Sequence, residues 1–312
     1  MCTTLSTTES VQYAYAAVQN LQHGRSTIEI AEELGISRFL VGRMIRRARE
    51  DGLVEVRTRL PEPIAPELSK ALSRAYGLES AFVALTPSKD ETRTRTTIAS
   101  IGARFLSETI GEDAIVGLGP GRTILDTCGR IREVATCDVV QLTGFASVDA
   151  GTHLKAISQL SGVAKGRMFA LPASFVTRSA RSWDAVTREP AVQQALARID
   201  HIDMAALTVG GWPGSSLLAS QLDELDELAP LLRRGVVAEL GTTLLDIDGN
   251  EVDGLHRRLI GITTAQLERT PTRIALGGGA GKQRAVLAAL RSGLVTTLIT
   301  DEGTARAALD AL

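Results

Sequence analysis

Between Glu9 and Leu21 the apolar positions Val11, Tyr15, Val18 and Leu21 recur every three or four residues, the period of one helix face. That spacing predicts a first helix. His23, Gly24, Arg25 and Ser26 interrupt it, and Thr27 stands where the N-cap of a short second helix, Thr27 to Leu34, is expected. Gly35 suits the left-handed turn that ends it, and Ser37 caps a third helix from Arg38 to Asp51, with Val41, Met44, Ile45 and Ala48 facing inward. Two helices joined through "LGIS" at this spacing form a helix-turn-helix. "GLVEVRTR", Gly52 to Arg59, reads as a wing or exit strand, and the prolines of "LPEPIAP", residues 60–66, read as a linker.

After a helical stretch near Pro66 to Tyr76 the pattern changes to short apolar runs that stop at glycine, proline or polar residues. They are "AFVAL", "AIVGLGPG", "VVQLTG", "MFALPAS", "AALTVGG", "VVAELG", "RIALGGGAGK" and "LVTTLITDEG". Helical segments such as Thr92 to Ile110, Ala191 to Ile199 and Gln283 to Ser292 separate most of them. Alternating buried strands and helices predict an α/β domain built on a mainly parallel sheet. The expected organisation is a DNA-binding domain over residues 1–59, a linker over 60–66 and an effector and oligomerisation domain over 67–312.

Charge sharpens the amino-terminal reading. The net charge of the 312 residues is only −2, yet Arg38, Arg43, Arg46, Arg47 and Arg49 crowd one helix, behind a helix that carries Glu29, Glu32 and Glu33. A helix laid in the major groove needs cations for phosphates, while an acidic neighbour faces elsewhere. Thr27, Ser37, Arg38, Phe39 and Arg43 are the candidates nearest the DNA, Ser37 to Arg43 within reach of base edges. Arg46, Arg47 and Arg49 are candidates for phosphates. Only five of the 34 basic residues are lysine, so arginine content alone is no sign of phosphate binding.

Composition excludes several classes. With 44% apolar and 22% charged residues the chain can bury a substantial core. The start lacks the pattern of a signal peptide and no run of about 18 apolar residues occurs, so a cytoplasmic protein with no membrane partner is expected. Cys2, Cys128 and Cys137 form neither a disulfide framework nor a zinc pattern, and His23, His153, His201 and His256 are too scattered for a metal cluster.

Ligands of parallel sheets sit beyond the carboxyl ends of the strands, where the glycines collect here. Gly117, Gly119, Gly121 and Thr123 of "GLGPGRT" can form a strand-to-helix turn that receives an anion, and "GGGAGK", Gly277 to Lys282 with Gly279 inside it, offers a second. Neither is a nucleotide fingerprint: the first is no GxGxxG, and the second has Gln283 where a P-loop has serine or threonine. Glu239, Arg257, Arg258, Asp301 and Glu302 are the remaining polar candidates.

These segments, in this order, resemble the SorC/DeoR-type sugar-responsive bacterial transcription regulators over essentially the whole chain. The resemblance rests on "IAEELGISRFLVGRMIRRAREDGLVEV", "IVGLGPGRT", "VVQLTG", "LPA", "TVGG", "VVAELGTTLLDIDGN", "RRLIGI" and "LITDEGTARAAL". It implies a winged-helix-like helix-turn-helix and a larger Rossmann-like effector domain similar in fold to ribose-5-phosphate isomerase and glucosamine-6-phosphate deaminase. It also implies a sugar, polyol or sugar-phosphate effector that controls operator affinity, and a homodimer or homotetramer. By resemblance Gly121, Arg122 and Thr123 lie at the sugar or phosphate site, with Gln141, Thr143, Gly144, Glu239, Arg258 and Lys282 around it. Some relatives carry a lysine where Thr143 stands, and a threonine cannot form their imine with an aldehyde sugar.

The expected function is thus a DNA-binding regulator of carbohydrate metabolism, acting as a repressor. The alternative, an isomerase or deaminase on the same fold, needs a poised base near the sugar carbons, and only Glu239 or Asp301 could serve.

Overall fold

The computed structural model describes residues 5–54, 63–86, 90–146 and 150–312, and the chain divides into two units, Met1–Leu60 and Pro61–Leu312. The first holds α1 (Thr7–Leu21), α2 (Thr27–Leu34) and α3 (Arg38–Glu50). Ile30, Val41 and Met44 pack with Ala16 and Ala31 in its core. The predicted face of α1 is rotated: Val11 is 65% exposed, Tyr15 and Leu21 also face outward, and Ala16 and Ala17 are fully buried instead. Small side chains let α1 approach its neighbours closely, and the Tyr15 hydroxyl donates to Glu33.

Ser26, not Thr27, caps α2. Its Oγ accepts the Glu29 N–H at 3.2 Å while the Glu29 carboxylate accepts the Ser26 N–H at 2.7 Å, a reciprocal capping box. Thr27 is the first helical residue. Ser26→Ala is accordingly expected to cost about 1 kcal/mol in urea unfolding of the full chain, and Thr27→Ala only a few tenths. Gly35 takes φ +67 after α2, and Ser37 Oγ accepts the Leu40 N–H at 3.2 Å to open α3. Residues 55–59 of the predicted wing and 60–62 of the predicted linker lie outside the described residues, as does Cys2.

In the second unit, Ile64 already pairs antiparallel with Ala84 and Pro66 opens a helix, so the last residues of the predicted linker are part of this unit. Its elements run α4 (Pro66–Tyr76), β1 (Ser80–Ala84), α5 (Glu91–Thr109), β2 (Ala114–Leu118), α6 (Arg122–Cys128), β3 (Cys137–Gln141), α7 (Ala150–Ala164) and β4 (Lys165–Phe169). Then come α8 (Ala180–Thr187), α9 (Pro190–Ile199), β5 (Met204–Thr208), β6 (Gly210–Gly211), α10 (Leu217–Asp223), α11 (Leu228–Arg233), β7 (Ala238–Leu240) and β8 (Thr243–Leu245). The unit closes with α12 (Thr264–Arg269), β9 (Thr272–Leu276), a 3-10 turn Ala280–Lys282, α13 (Gln283–Arg291), β10 (Thr297–Asp301) and α14 (Glu302–Leu309).

Seven strands form one parallel sheet in the order β1-β10-β9-β5-β2-β3-β4. All eight apolar runs contribute strands, but "VVAELG" supplies β7 to a separate antiparallel sheet, β6-β7-β8. One face of the large sheet is covered by α4, α9, α13 and α14 through Leu72, Ile199, Val286 and Ala305. The other is covered by α5, α6 and α7 through Ile98, Ile124 and Ile157. Cys128 and Cys137 are buried, which pushes their thiols up to about 12 and about 11, so both stay protonated near neutrality. Among the described residues no helix is long and apolar enough to cross a membrane, and no cluster of potential metal ligands occurs.

Candidate functional site

Strand order reverses between β2 and β5, and at such a switch point the loops leaving adjacent strand ends diverge to opposite faces and open a crevice. A cavity of about 540 Å³ lies there, walled by the turns after β2, β5 and β9. In the first turn Gly121 takes φ +118, and a side chain there would meet Thr208 Oγ1 at 3.0 Å. Arg122 and Thr123 follow it into the wall, where the first N–H groups of α6 have no partner within their helix. The second turn is drawn in by Asp301, whose Oδ2 accepts the Gly279 N–H at 2.6 Å and the Thr304 hydroxyl at 2.7 Å. Its Oδ1 accepts the Gly303 N–H at 3.0 Å.

Lys282 ends that turn half-buried, with Nζ donating to the Val209 carbonyl at 2.6 Å. Burial lowers its pKa to about 8, the charge of Arg122 pushes the same way, and Glu239 and Glu91 oppose it. Opposite stands Glu239, buried on β7. Ser216 Oγ donates to its carboxylate at 2.6–2.8 Å, and the Trp212 indole donates to it as well. Burial raises the Glu239 pKa, against the pull of Ser216, Trp212 and Lys282. Glycine at 210 is a condition of this arrangement, because a Cβ there would fall 2.0 Å from Glu239 Oε1.

The structure therefore brings Gly121, Arg122, Thr123, Glu239 and Lys282 together at one cavity, with Gly279 and Asp301 shaping its second loop. The other candidates lie outside its lining. Gly119 packs on Leu207, where a Cβ would sit 2.6 Å from a methyl. Gln141 is fully buried, donating to the Thr143 carbonyl at 2.7 Å and accepting the Leu171 N–H at 3.1 Å. Thr143 bridges Gly261, and Gly144 crosses the backbone at Ser174. Arg258 pairs with Glu227 at 2.6 Å and donates to the Thr177 carbonyl.

Sequence reasoning passed over Thr208, Ser216, Arg95 and Phe175, all of which line the cavity. Arg95 reaches Asp126 at 3.0 Å from inside α5, where no local motif marks it. Thr208 Oγ1 is buried with no hydrogen-bond partner among the described residues, a hydroxyl open to a polar ligand. The usable signal was "GWPGSS", a third glycine-rich stretch beyond a strand.

In the amino-terminal unit Ser37, Arg38, Phe39, Arg43 and Arg46 are exposed on α3, while Arg47 is half-buried and pairs with Asp51 at 3.1 Å. Two of the three acids of α2 are engaged locally: Glu29 in the capping box and Glu33 with Arg25 and Tyr15.

Residues 65–310 match the model of the sugar-binding domain family, called Sugar-bind. The chain belongs to this family. It is 28% identical to the deoxyribonucleoside regulator of Bacillus subtilis over 93% of this chain and 95% of that one. It is 25% identical to the transcriptional regulator LsrR of Klebsiella pneumoniae subsp. pneumoniae over 92% and 88%. The full-length sorbitol operon regulator SorC of Klebsiella pneumoniae superposes with a TM-score of 0.71 at 19% identity, covering 97% of this chain and 100% of its own, a likeness of fold. The Sugar-bind unit thus sits in a chain of the SorC/DeoR type, a sugar-responsive transcriptional regulator.

Proposed function

We propose that α3 enters the major groove of an operator and that the cavity takes a sugar, polyol or sugar phosphate that lowers operator affinity, making the protein a repressor. The observation that carries the effector assignment is the convergence of both glycine turns on one cavity holding Arg122, Lys282 and the buried Glu239. Cations at the turns suit a phosphate, and a carboxylate fixed by Ser216 and Trp212 suits sugar hydroxyls. A palindromic operator requires at least a dimer, and a tetramer satisfies it too. Such a partner places the protein in the cytoplasm.

An isomerase or deaminase is the weaker reading. Of its two candidate bases, Asp301 has both oxygens in hydrogen bonds to the second loop and α14 and does not line the cavity. The relatives matching nearly the whole chain are named as regulators.

Thermal unfolding against a panel of sugars, polyols and their phosphates at fixed salt tests the cavity, because a ligand selective for the folded state raises the midpoint. A panel that leaves the midpoint unmoved removes the effector assignment. Operator retention tests α3. Arg43→Ala and Arg46→Ala are each expected to weaken binding, with the slope of log affinity against log salt falling by about 0.9 for each lost phosphate contact. Wild-type binding by both variants would displace α3 from the groove. Effector and operator are linked reciprocally, so operator DNA must weaken effector binding by the factor by which effector weakens operator binding.

A further inference from the structure

Phe39 is 73% exposed, and its surroundings set it apart from an ordinary exposed apolar residue. On α3 the residues Phe39, Arg43 and Arg46 follow one another at i, i+4 and i+7, a single stripe along the helix. Val41, Met44 and Ala48 are buried on the opposite side, so this stripe is the centre of the outward face. The Arg38 guanidinium lies 5.0 Å from the centre of the Phe39 ring, holding it in place and leaving the rest of the ring to solvent. One turn further on the same side is Gly42, where an added Cβ would meet nothing within 4 Å, so the helix backbone is bare beside the phenyl.

A phenyl ring can neither donate nor accept a conventional hydrogen bond, and the floor of the major groove offers it one apolar group, the C5 methyl of thymine. Over cytosine the same ring would cover the N4 amino group without supplying an acceptor, which is unfavourable. Cations on both sides of Phe39 along the chain, Arg38 and Arg43, match the phosphates flanking such a base. We propose that Phe39 reads thymine in the operator by packing on its methyl group, with Arg38 and Arg43 holding the ring in register. The proposal rests on the reading of α3 as the groove helix.

The experiment uses the full-length protein to enrich duplexes from a random pool, then replaces each enriched thymine by uracil, which removes only the methyl. Substitution in one half-site alone is expected to weaken wild-type binding about fourfold, and substitution in both halves of a palindrome about fifteenfold, from the burial of one methyl in each. Phe39→Ala, at an exposed position, should keep the wild-type unfolding midpoint and bind thymine and uracil duplexes alike. The proposal is overturned if uracil at every enriched thymine leaves wild-type affinity within about twofold, or if Phe39→Ala still distinguishes the two bases. Either result leaves DNA binding standing. Failure to enrich any duplex removes the groove reading and the proposal together.

Discussion

Lys282→Met is expected to stabilise the effector-free protein near neutral pH and to cost it most of its response to a phosphorylated effector. Burial holds the folded-state pKa of Lys282 at about 8, against an ordinary 10.5. Below about pH 8 the folded and unfolded chains both carry the proton, so the full penalty of enclosing the charge is present. Between about 8 and 10.5 the folded protein releases the proton while the unfolded chain keeps it, and stability therefore rises with pH. The gap corresponds to roughly 3 kcal/mol, part of which methionine forfeits by leaving the Val209 carbonyl without its donor. A net gain of about 1–2 kcal/mol at pH 7, an increase of roughly 4 °C in the midpoint, should shrink towards pH 9.5.

Binding moves the other way. A charge-assisted hydrogen bond to a phosphate oxygen is worth about 1.5–3 kcal/mol, so the variant should bind the anion roughly 10- to 100-fold more weakly. Wild-type affinity should also decline as pH rises above about 8, because the free protein must then take up a proton to bind. Scanning fluorimetry at several pH values reads both signs at once. A destabilised Lys282→Met protein with an unchanged effector shift would mean that Lys282 is a structural residue.

The parallel sheet was legible because strands covered on both faces are written as uninterrupted apolar runs, and six of the eight runs became its inner or well-covered strands. "VVAELG" went to the small antiparallel sheet, and "MFALPAS" gave only Met168 and Phe169 to the exposed edge strand β4. The cavity was legible where glycine betrayed the backbone, at Gly121 and at Gly277 to Lys282, and at Glu239, which the resemblance implies. Strand ends gave less, since a polar residue there can turn to the cavity or to a crossing loop. Gln141 turns to a loop and Thr208 to the cavity, and nothing local distinguishes them. Arg95 was invisible for a related reason, because a helix side chain reaches the site only through the tertiary packing of α5. The cap of α2 was readable in principle. Ser26 has glutamate three residues on and Thr27 has Ile30, so the capping box already favours the serine.

Gly144→Ala gives the largest loss of stability among these changes, through the backbone rather than through any ligand. A Cβ at this position would lie 2.6 Å from both the carbonyl carbon and oxygen of Ser174 and 2.7 Å from the Ala173 oxygen. None of these atoms can swing aside as a side-chain tip can. The crossing is bolted on both sides: Gly144 N–H donates to the Ile260 carbonyl at 2.9 Å, Phe145 N–H to Ala173 at 2.8 Å, and Phe175 N–H to Phe145 at 2.9 Å. Relief requires a shift of the order of 1 Å in one strand of this network, and overpacking of that kind costs about 3 kcal/mol. The unfolding midpoint should fall by roughly 10 °C. Phe175 is carried by the displaced segment and lines the cavity, so the effector shift should weaken even though Gly144 does not line it. A variant with native stability and a selectively lost effector response would instead return Gly144 to the ligand-contact role that the resemblance implies.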